Sequence, residues 1–220
     1  MLGKIRQNIK PIAEAIARPI AATGISPDAF SFIAVPLAIL AAYSIAGQDF
    51  ILGLIFTLLA ISIDLFDGAV ARLQNRQSLF GNYLETMIDK AVETTLFVGT
   101  AFLFPIAAVC ALGFSMLASY AKPRLALVII SDNRDWPAIG EHAERMLLLF
   151  AGIALSAFSV QIAGMKILEI SLWLVALVAL IGTCQRIMFA KGLIAEAEKK
   201  GAVLPYLKKA KGKKSRPKIA

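Results

Sequence analysis

Charge is missing from long stretches of this chain. Phe50 to Ile63 carries no charged side chain, and neither does Thr94 to Ala121. The chain is 58% hydrophobic with a mean hydropathy of +0.72, whereas soluble domains run at about 45–50% apolar. That excludes an ordinary soluble domain and indicates an integral membrane protein. Cysteine is scarce too: Cys110 and Cys184 both lie in apolar segments, which argues against a disulfide framework. The N-terminus alternates charged and apolar residues without a small-residue cleavage site, so no cleavable signal is expected. No internal repeat is visible. Acidic residues are outnumbered, 15 against 23 Lys and Arg, and much of the +8 excess lies in the last thirty residues.

The apolar segments give the organisation. Ile5, Ile9, Ile12, Ile16 and Ile20 recur at steps of three and four, with Lys4, Arg6, Lys10 and Arg18 in other directions. This predicts an amphipathic basic helix lying in the membrane interface over residues 1–24; a surface helix of a soluble domain is the alternative. Ser26-Pro27 reads as an N-cap followed by proline at the first helical position. Six spans are then predicted in residues 25–190, since each needs roughly 20 residues. They are Ala29–Gln48, Phe50 to about Leu73, Phe80–Phe104, Ile106–Tyr120, Met146–Gly164 and Ile170–Phe189. Residues 191–220 form a basic tail. Lys and Arg gather in the N-terminal segment, the Arg72–Arg76 connection, the Lys122–Arg145 region and the tail, while the three opposite turns hold only Lys166. The expectation is an all-α, six-span protein of the cell membrane with both termini and its active site cytoplasmic. The tail is expected near anionic headgroups, worth about 1 kcal/mol per cation close to the surface. No nucleic-acid partner is expected.

Against this background, carboxylates in apolar sequence stand out. Asp64 and Asp67 close the second span; Glu85 and Asp89 open the third. An ionisable group at membrane depth costs roughly 2.5–3.5 kcal/mol on insertion scales, so four together call for a compensating cation. Asp64, Asp67 and Ala71 share one helical face, and Glu85 and Asp89 are one turn apart. Two helices can thus present paired carboxylates to a hard divalent cation. An intramembrane ion-pair network with Arg72, Arg76 and Lys90 is the plainer alternative.

The stretch Asp64-Leu-Phe-Asp67-Gly68-Ala-Val-Ala71-Arg72, followed by Gly81, Glu85 and Asp89, resembles the signature of the CDP-alcohol phosphatidyltransferase family. The family pattern is Asp-x2-Asp-Gly-x2-Ala-Arg-x8-Gly-x3-Asp-x3-Asp; only Glu85 departs, standing where the family has Asp. The resemblance implies six helices with an interfacial N-terminal helix, often in a homodimer. It implies that Asp64, Asp67, Glu85 and Asp89 hold one or two Mg²⁺ or Mn²⁺ ions. It gives Asp89 the further role of base on the acceptor hydroxyl, and Gly68, Ala71, Arg72 and Gly81 the cytidine nucleotide. The residue types suit those tasks: small residues let a planar base approach the backbone, and Arg fits planar, charged recognition. Glu85 reaches one methylene farther than Asp, and a displacement of about 1 Å can cost about a hundredfold in rate where positioning matters.

A second constellation bears on the acceptor. Ser119-x2-Lys122, Glu144-Arg145 and Gln185-Arg186 are similar to elements that, in the phosphatidylinositol-phosphate and archaetidylinositol-phosphate synthase branch, line a pocket for the acceptor's phosphate. His142 takes the place of one arginine of that branch. Ser119, Lys122, Arg145 and Arg186 are therefore expected at the acceptor phosphate, with positive-inside boundary charges as the alternative. The partners implied are a CDP-linked lipid and a small polar alcohol. The expected reaction yields CMP and a phospholipid, with inositol 1-phosphate as the first-choice acceptor. Glycerol 3-phosphate and a CDP-inositol donor are rivals in the same chemistry. A six-span cation transporter and a catalytically dead scaffold are rivals of other classes.

Overall fold

The computed structural model describes residues 14–130, 136, 138–162 and 164–204. Most of the predicted amphipathic stretch, part of the predicted loop before Glu141 and the Lys-rich end fall outside the described residues. Residues 14–22 form helix α1. It is followed by α2 (Pro27–Phe32), α3 (Ala34–Ala46), α4 (Phe50–Leu73), α5 (Leu79–Ala101) and α6 (Pro105–Ala126). Then come α7 (His142–Ser156), a hairpin of β1 (Gln161–Ile162) and β2 (Met165–Lys166), and α8 (Ile167–Lys200).

Local chemistry sets these limits. Ser26 caps α2 by accepting the Ala29 N–H at 3.2 Å, with Pro27 next to it. Asp49 caps α4 through the Leu52 N–H, and Ser78 caps α5 through the Gly81 N–H at 2.8 Å. Glu141 and Glu144 form a reciprocal capping box at the start of α7, which satisfies two otherwise orphaned donors.

Three boundaries differ from the sequence prediction. The first apolar segment is broken at Ile33 into α2 and α3, because Pro36 has no N–H for the Phe32 carbonyl and its ring crowds that oxygen. The fifth segment stops at Ser156 and does not continue to Gly164. Ser159 turns to a φ of +52° and Gly164, at +80°, reverses the chain between β1 and β2. Gln161 pairs with Lys166, and Ile162 with Met165. The last helix runs well past Phe189, ending at Gly201 with φ +68°. At 1.5 Å per residue α8 is about 50 Å long, beyond the roughly 30 Å of a hydrocarbon core. The division drawn at residue 190 thus falls inside one continuous helix.

Among the described residues four segments are long and apolar enough to cross a membrane: Pro27–Ala46, Phe50–Leu73, Pro105–Ala126 and Ile167–Lys200. The protein is a mostly helical membrane protein. Apolar side chains such as Tyr43, Ile51, Val109, Leu147 and Leu177 point outward, as lipid contact requires.

Helix α3 lies against both α4 and α5, while α6 and α7 pack on α8; contacts of α4 with α7 and of α5 with α6 join the two groups. Small residues permit the closest approach. A Cβ on Gly99 of α5 would sit 2.5 Å from the Ala42 Cα of α3. Ala38, Ala41, Leu96, Phe97, Leu149 and Leu172 fill the shared core. A smaller cluster of Leu125, Ile129 and Ala197 packs where α6 ends beside the far part of α8. There Ile129 bridges Val203, and Trp136 meets Phe189 with ring centroids 5.3 Å apart. The short connection between α4 and α5 brings the end of one and the start of the other, which carry the carboxylates, to the same end of the bundle.

Candidate active site

Helix periodicity puts Asp64 and Asp67 on neighbouring turns of α4, and Glu85 and Asp89 on successive turns of α5. Packing brings them together. One carboxylate oxygen from each of Asp64, Asp67 and Glu85 lies within 4.8 Å of the others. Asp89 is not one of that group of three but lines the same cavity as all of them. Three carboxylates gathered over this distance are the hard, all-oxygen donor set that a divalent cation such as Mg²⁺ or Mn²⁺ takes. Asp64 is exposed, Glu85 and Asp89 are half-buried and Asp67 is buried.

Asp67 is held by a residue the sequence reading did not select. The Ser31 hydroxyl lies 2.6 Å from Asp67 Oδ2, and Ser31 is itself buried. The Pro27 carbonyl also lies within reach of that hydroxyl, at 3.1 Å. A lone serine in an apolar segment was the only signal available, and it could equally have been a helix-packing serine.

Two cavities meet at the cluster. The first, about 280 Å³, is lined by Asp28, Ser31, Gly68, Ala71, Arg72 and Gly81 among others, and reaches Asp67 and Glu85. All four residues assigned from the family motif to the cytidine nucleotide are therefore on one cavity wall. Gly81 has little room: a Cβ there would meet Ser78 Oγ at 3.1 Å and Asp28 Oδ1 at 3.4 Å. The second cavity, about 310 Å³, is bounded by Asp64, Asp67, Glu85, Asp89 and His142 at one side, and by Leu58, Ile61, Met146, Leu147 and Phe150 at the other. Asp67 and Glu85 line both.

The residues expected at an acceptor phosphate are partly gathered. Arg145 is 1% exposed. Its Nη2 donates to Ser119 Oγ at 3.0 Å, and its Nη1 to the Gly140 carbonyl. Its Nε and Nη2 also donate to Glu93 Oε1 at 3.2 and 3.1 Å. Arg186 is buried nearby and donates to the Ile139 carbonyl at 3.0 Å. Lys122 is half-buried one turn beyond Ser119. None of the four lines either cavity. The sequence reading overlooked Glu93 as the hub that engages Arg145; its signal was a charged residue one turn past Asp89, on the same face.

The site has counterparts in known proteins. A profile of the CDP-alcohol phosphatidyltransferases matches residues 25–183. The archaetidylinositol phosphate synthase of Pyrococcus horikoshii is 28% identical over 195 residues, covering 87% of this chain and 97% of that one. The phosphatidylinositol phosphate synthase of Streptomyces avermitilis is 30% identical over 192 residues, covering 80% of this chain and 76% of that one. Among solved structures, the Mycobacterium tuberculosis phosphatidylinositol phosphate synthase with CDP-DAG bound superposes with a TM-score of 0.72 at 23% identity, covering 82% and 94% of the two chains. The same enzyme in complex with manganese and citrate also gives 0.72, covering 81% and 88%. These structures share the fold.

Proposed function

The chain belongs to the CDP-alcohol phosphatidyltransferase family, and from that premise we propose that it transfers a diacyl- or dialkylglycerol phosphate group from a CDP-linked lipid to inositol 1-phosphate. The observation that carries this reading is the carboxylate cluster at the wall between two unlike cavities. The cavity with Gly68, Ala71, Arg72 and Gly81 would take the cytidine nucleotide. The apolar wall of the other would take the start of the lipid chains. The diphosphate linking them would then cross Asp64, Asp67, Glu85 and Asp89, which would hold Mg²⁺ or Mn²⁺. The metal supplies neutralisation of phosphate charge.

Asp89 acts as general base on the acceptor hydroxyl, whose proton moves to its carboxylate. The acceptor oxygen bonds to the lipid-side phosphorus as the bond from that phosphorus to the CMP oxygen breaks, and CMP leaves. Lys122, Arg145 and Arg186, with Ser119 hydrogen-bonded to Arg145, would form a positive end that favours a phosphorylated acceptor. The names of the relatives support inositol phosphate over other alcohols. Six spans with an interfacial N-terminal helix, a catalytic unit over residues 25–190, a basic tail, cytoplasmic termini and a homodimer complete the reading. The Lys and Arg distribution supports the orientation.

The test is CMP release by the purified protein with a CDP-linked lipid and Mn²⁺ or Mg²⁺. The acceptors offered are inositol 1-phosphate, glycerol 3-phosphate, inositol and serine. Release is expected with inositol 1-phosphate, and its loss in Asp67→Ala and Asp89→Ala. Release only with another acceptor would overturn the acceptor assignment. Electrogenic metal flux in liposomes without CMP release would overturn the enzyme reading.

A further inference from the structure

One buried carboxylate takes no part in the proposed reaction. Glu93 is 0% exposed and lies one turn beyond Asp89 on the same face of α5. Its Oε1 accepts from Arg145 Nε and Nη2 at 3.2 and 3.1 Å. Its Oε2 lies 2.6 Å from Lys90 Nζ and 3.0 Å from His142 Nδ1, and those two nitrogens are 3.1 Å apart. One cation would be enough to offset a buried carboxylate; Glu93 has two, from α5 itself and from α7.

The second cation is the informative one. Lys90 directly follows Asp89, and its ammonium lies 3.1 Å from Nδ1 of His142, which lines the same cavity as Asp64 and Asp89. It is a compact charge on a flexible four-carbon stem. Set loose at this position, it would reach toward Asp89 and Asp64 and occupy oxygens that a divalent cation needs. Instead it is drawn the other way, to Glu93, and Lys90 and Glu93 do not line the cavity that Asp64 and Asp89 line.

We infer that Glu93 is a positioning residue that holds Lys90 out of the carboxylate cluster, keeping Asp64, Asp67, Glu85 and Asp89 available for metal. The inference rests on the proposed function, since it takes the cluster to be a metal site. The same carboxylate anchors the first turn of α7 through His142 and Arg145, so the metal-facing part of α5 and the start of α7 share one fixed point.

The test reads Mn²⁺ binding directly, from the spectroscopic signal of free Mn²⁺ titrated with purified full-length protein. Glu93→Gln keeps the side-chain size and a carbonyl for Arg145 but releases Lys90. Its Mn²⁺ affinity is expected to fall about tenfold or more, the scale on which groups around metal ligands act. The double variant Lys90→Met/Glu93→Gln is expected to return to within about threefold of the parent. A purely architectural role gives no such recovery, because the double variant still lacks the Arg145 counter-charge. Lys90→Met alone, with Glu93 and Arg145 intact, is expected to bind Mn²⁺ at least as tightly as the parent, and it carries the test should Glu93→Gln fail to fold. Unchanged affinity in Glu93→Gln, a double variant as weak as the single, or weakened binding in Lys90→Met would each overturn the inference. A parent protein that binds no Mn²⁺, or an Asp67→Ala variant that binds it equally well, would instead overturn the metal-site reading beneath it.

Discussion

Removing the Ser31 hydroxyl tests how Asp67 is held. Ser31 and Asp67 are 6% and 5% exposed, and their oxygens are 2.6 Å apart. A hydrogen bond to a charged group in such surroundings has a net worth of about 1.5–3 kcal/mol. In Ser31→Ala the Asp67 carboxylate keeps the Gly68 N–H as a described partner, but nothing from α2 fixes its second oxygen. At about 1.4 kcal/mol per tenfold, the loss corresponds to about 10–100-fold, which matches the effect of removing the partner of a metal-ligating group. The expected outcome is a Mn²⁺ concentration for half-maximal CMP release raised by about 10-fold or more, with kcat/KM at fixed Mn²⁺ lowered on the same scale. Ser31→Thr, which keeps the hydroxyl, should stay within about threefold of the parent. A Ser31→Ala protein whose Mn²⁺ dependence and kcat/KM both lie within about twofold of the parent would refute the reasoning, because a 2.6 Å contact to a metal ligand would then carry no function.

Two glycines give further predictions. Gly81→Ala places a Cβ 3.1 Å from the Ser78 hydroxyl that caps α5, on the wall of the cavity assigned to the nucleotide. It is expected to weaken CMP binding by about tenfold in calorimetry and to cost about 1 kcal/mol of stability through the cap; unchanged CMP affinity would remove the nucleotide from this cavity. Gly99→Ala puts a Cβ 2.5 Å from the Ala42 Cα, so α3 and α5 must separate. Overpacking of this kind costs about 1–3 kcal/mol, visible as a lower Tm in detergent, and an unshifted Tm would contradict the close approach of these helices.

Much of the site was legible because its spacing is local. The four carboxylates, Gly68, Ala71, Arg72 and Gly81 lie on two helices joined by a short connection, and helical periodicity alone puts the members of each set on one face. The apolar runs likewise located the four described segments that are long and apolar enough to cross a membrane. What local patterns miss is the effect of single residues on continuity. Pro36 divides the first segment, Gly164 turns the end of the predicted fifth span into a hairpin, and α8 continues through charged residues. Leu125, Ile129 and Ala197 pack together along that continuation, and burial of such side chains sustains a helix that composition alone would end.

The sequence by itself determined that this is a helical membrane protein of the CDP-alcohol phosphatidyltransferase family with a two-helix acidic centre, because charge in apolar sequence and fixed helical spacing are both one-dimensional facts. The tertiary structure decided which residues support that centre. Ser31 meets Asp67 from 36 positions away, and Arg145 meets Glu93 from 52. Such pairings depend on how closely helices approach and which faces they turn inward. That is set by Gly99 against Ala42 and by the burial of whole surfaces, which no spacing along the chain records.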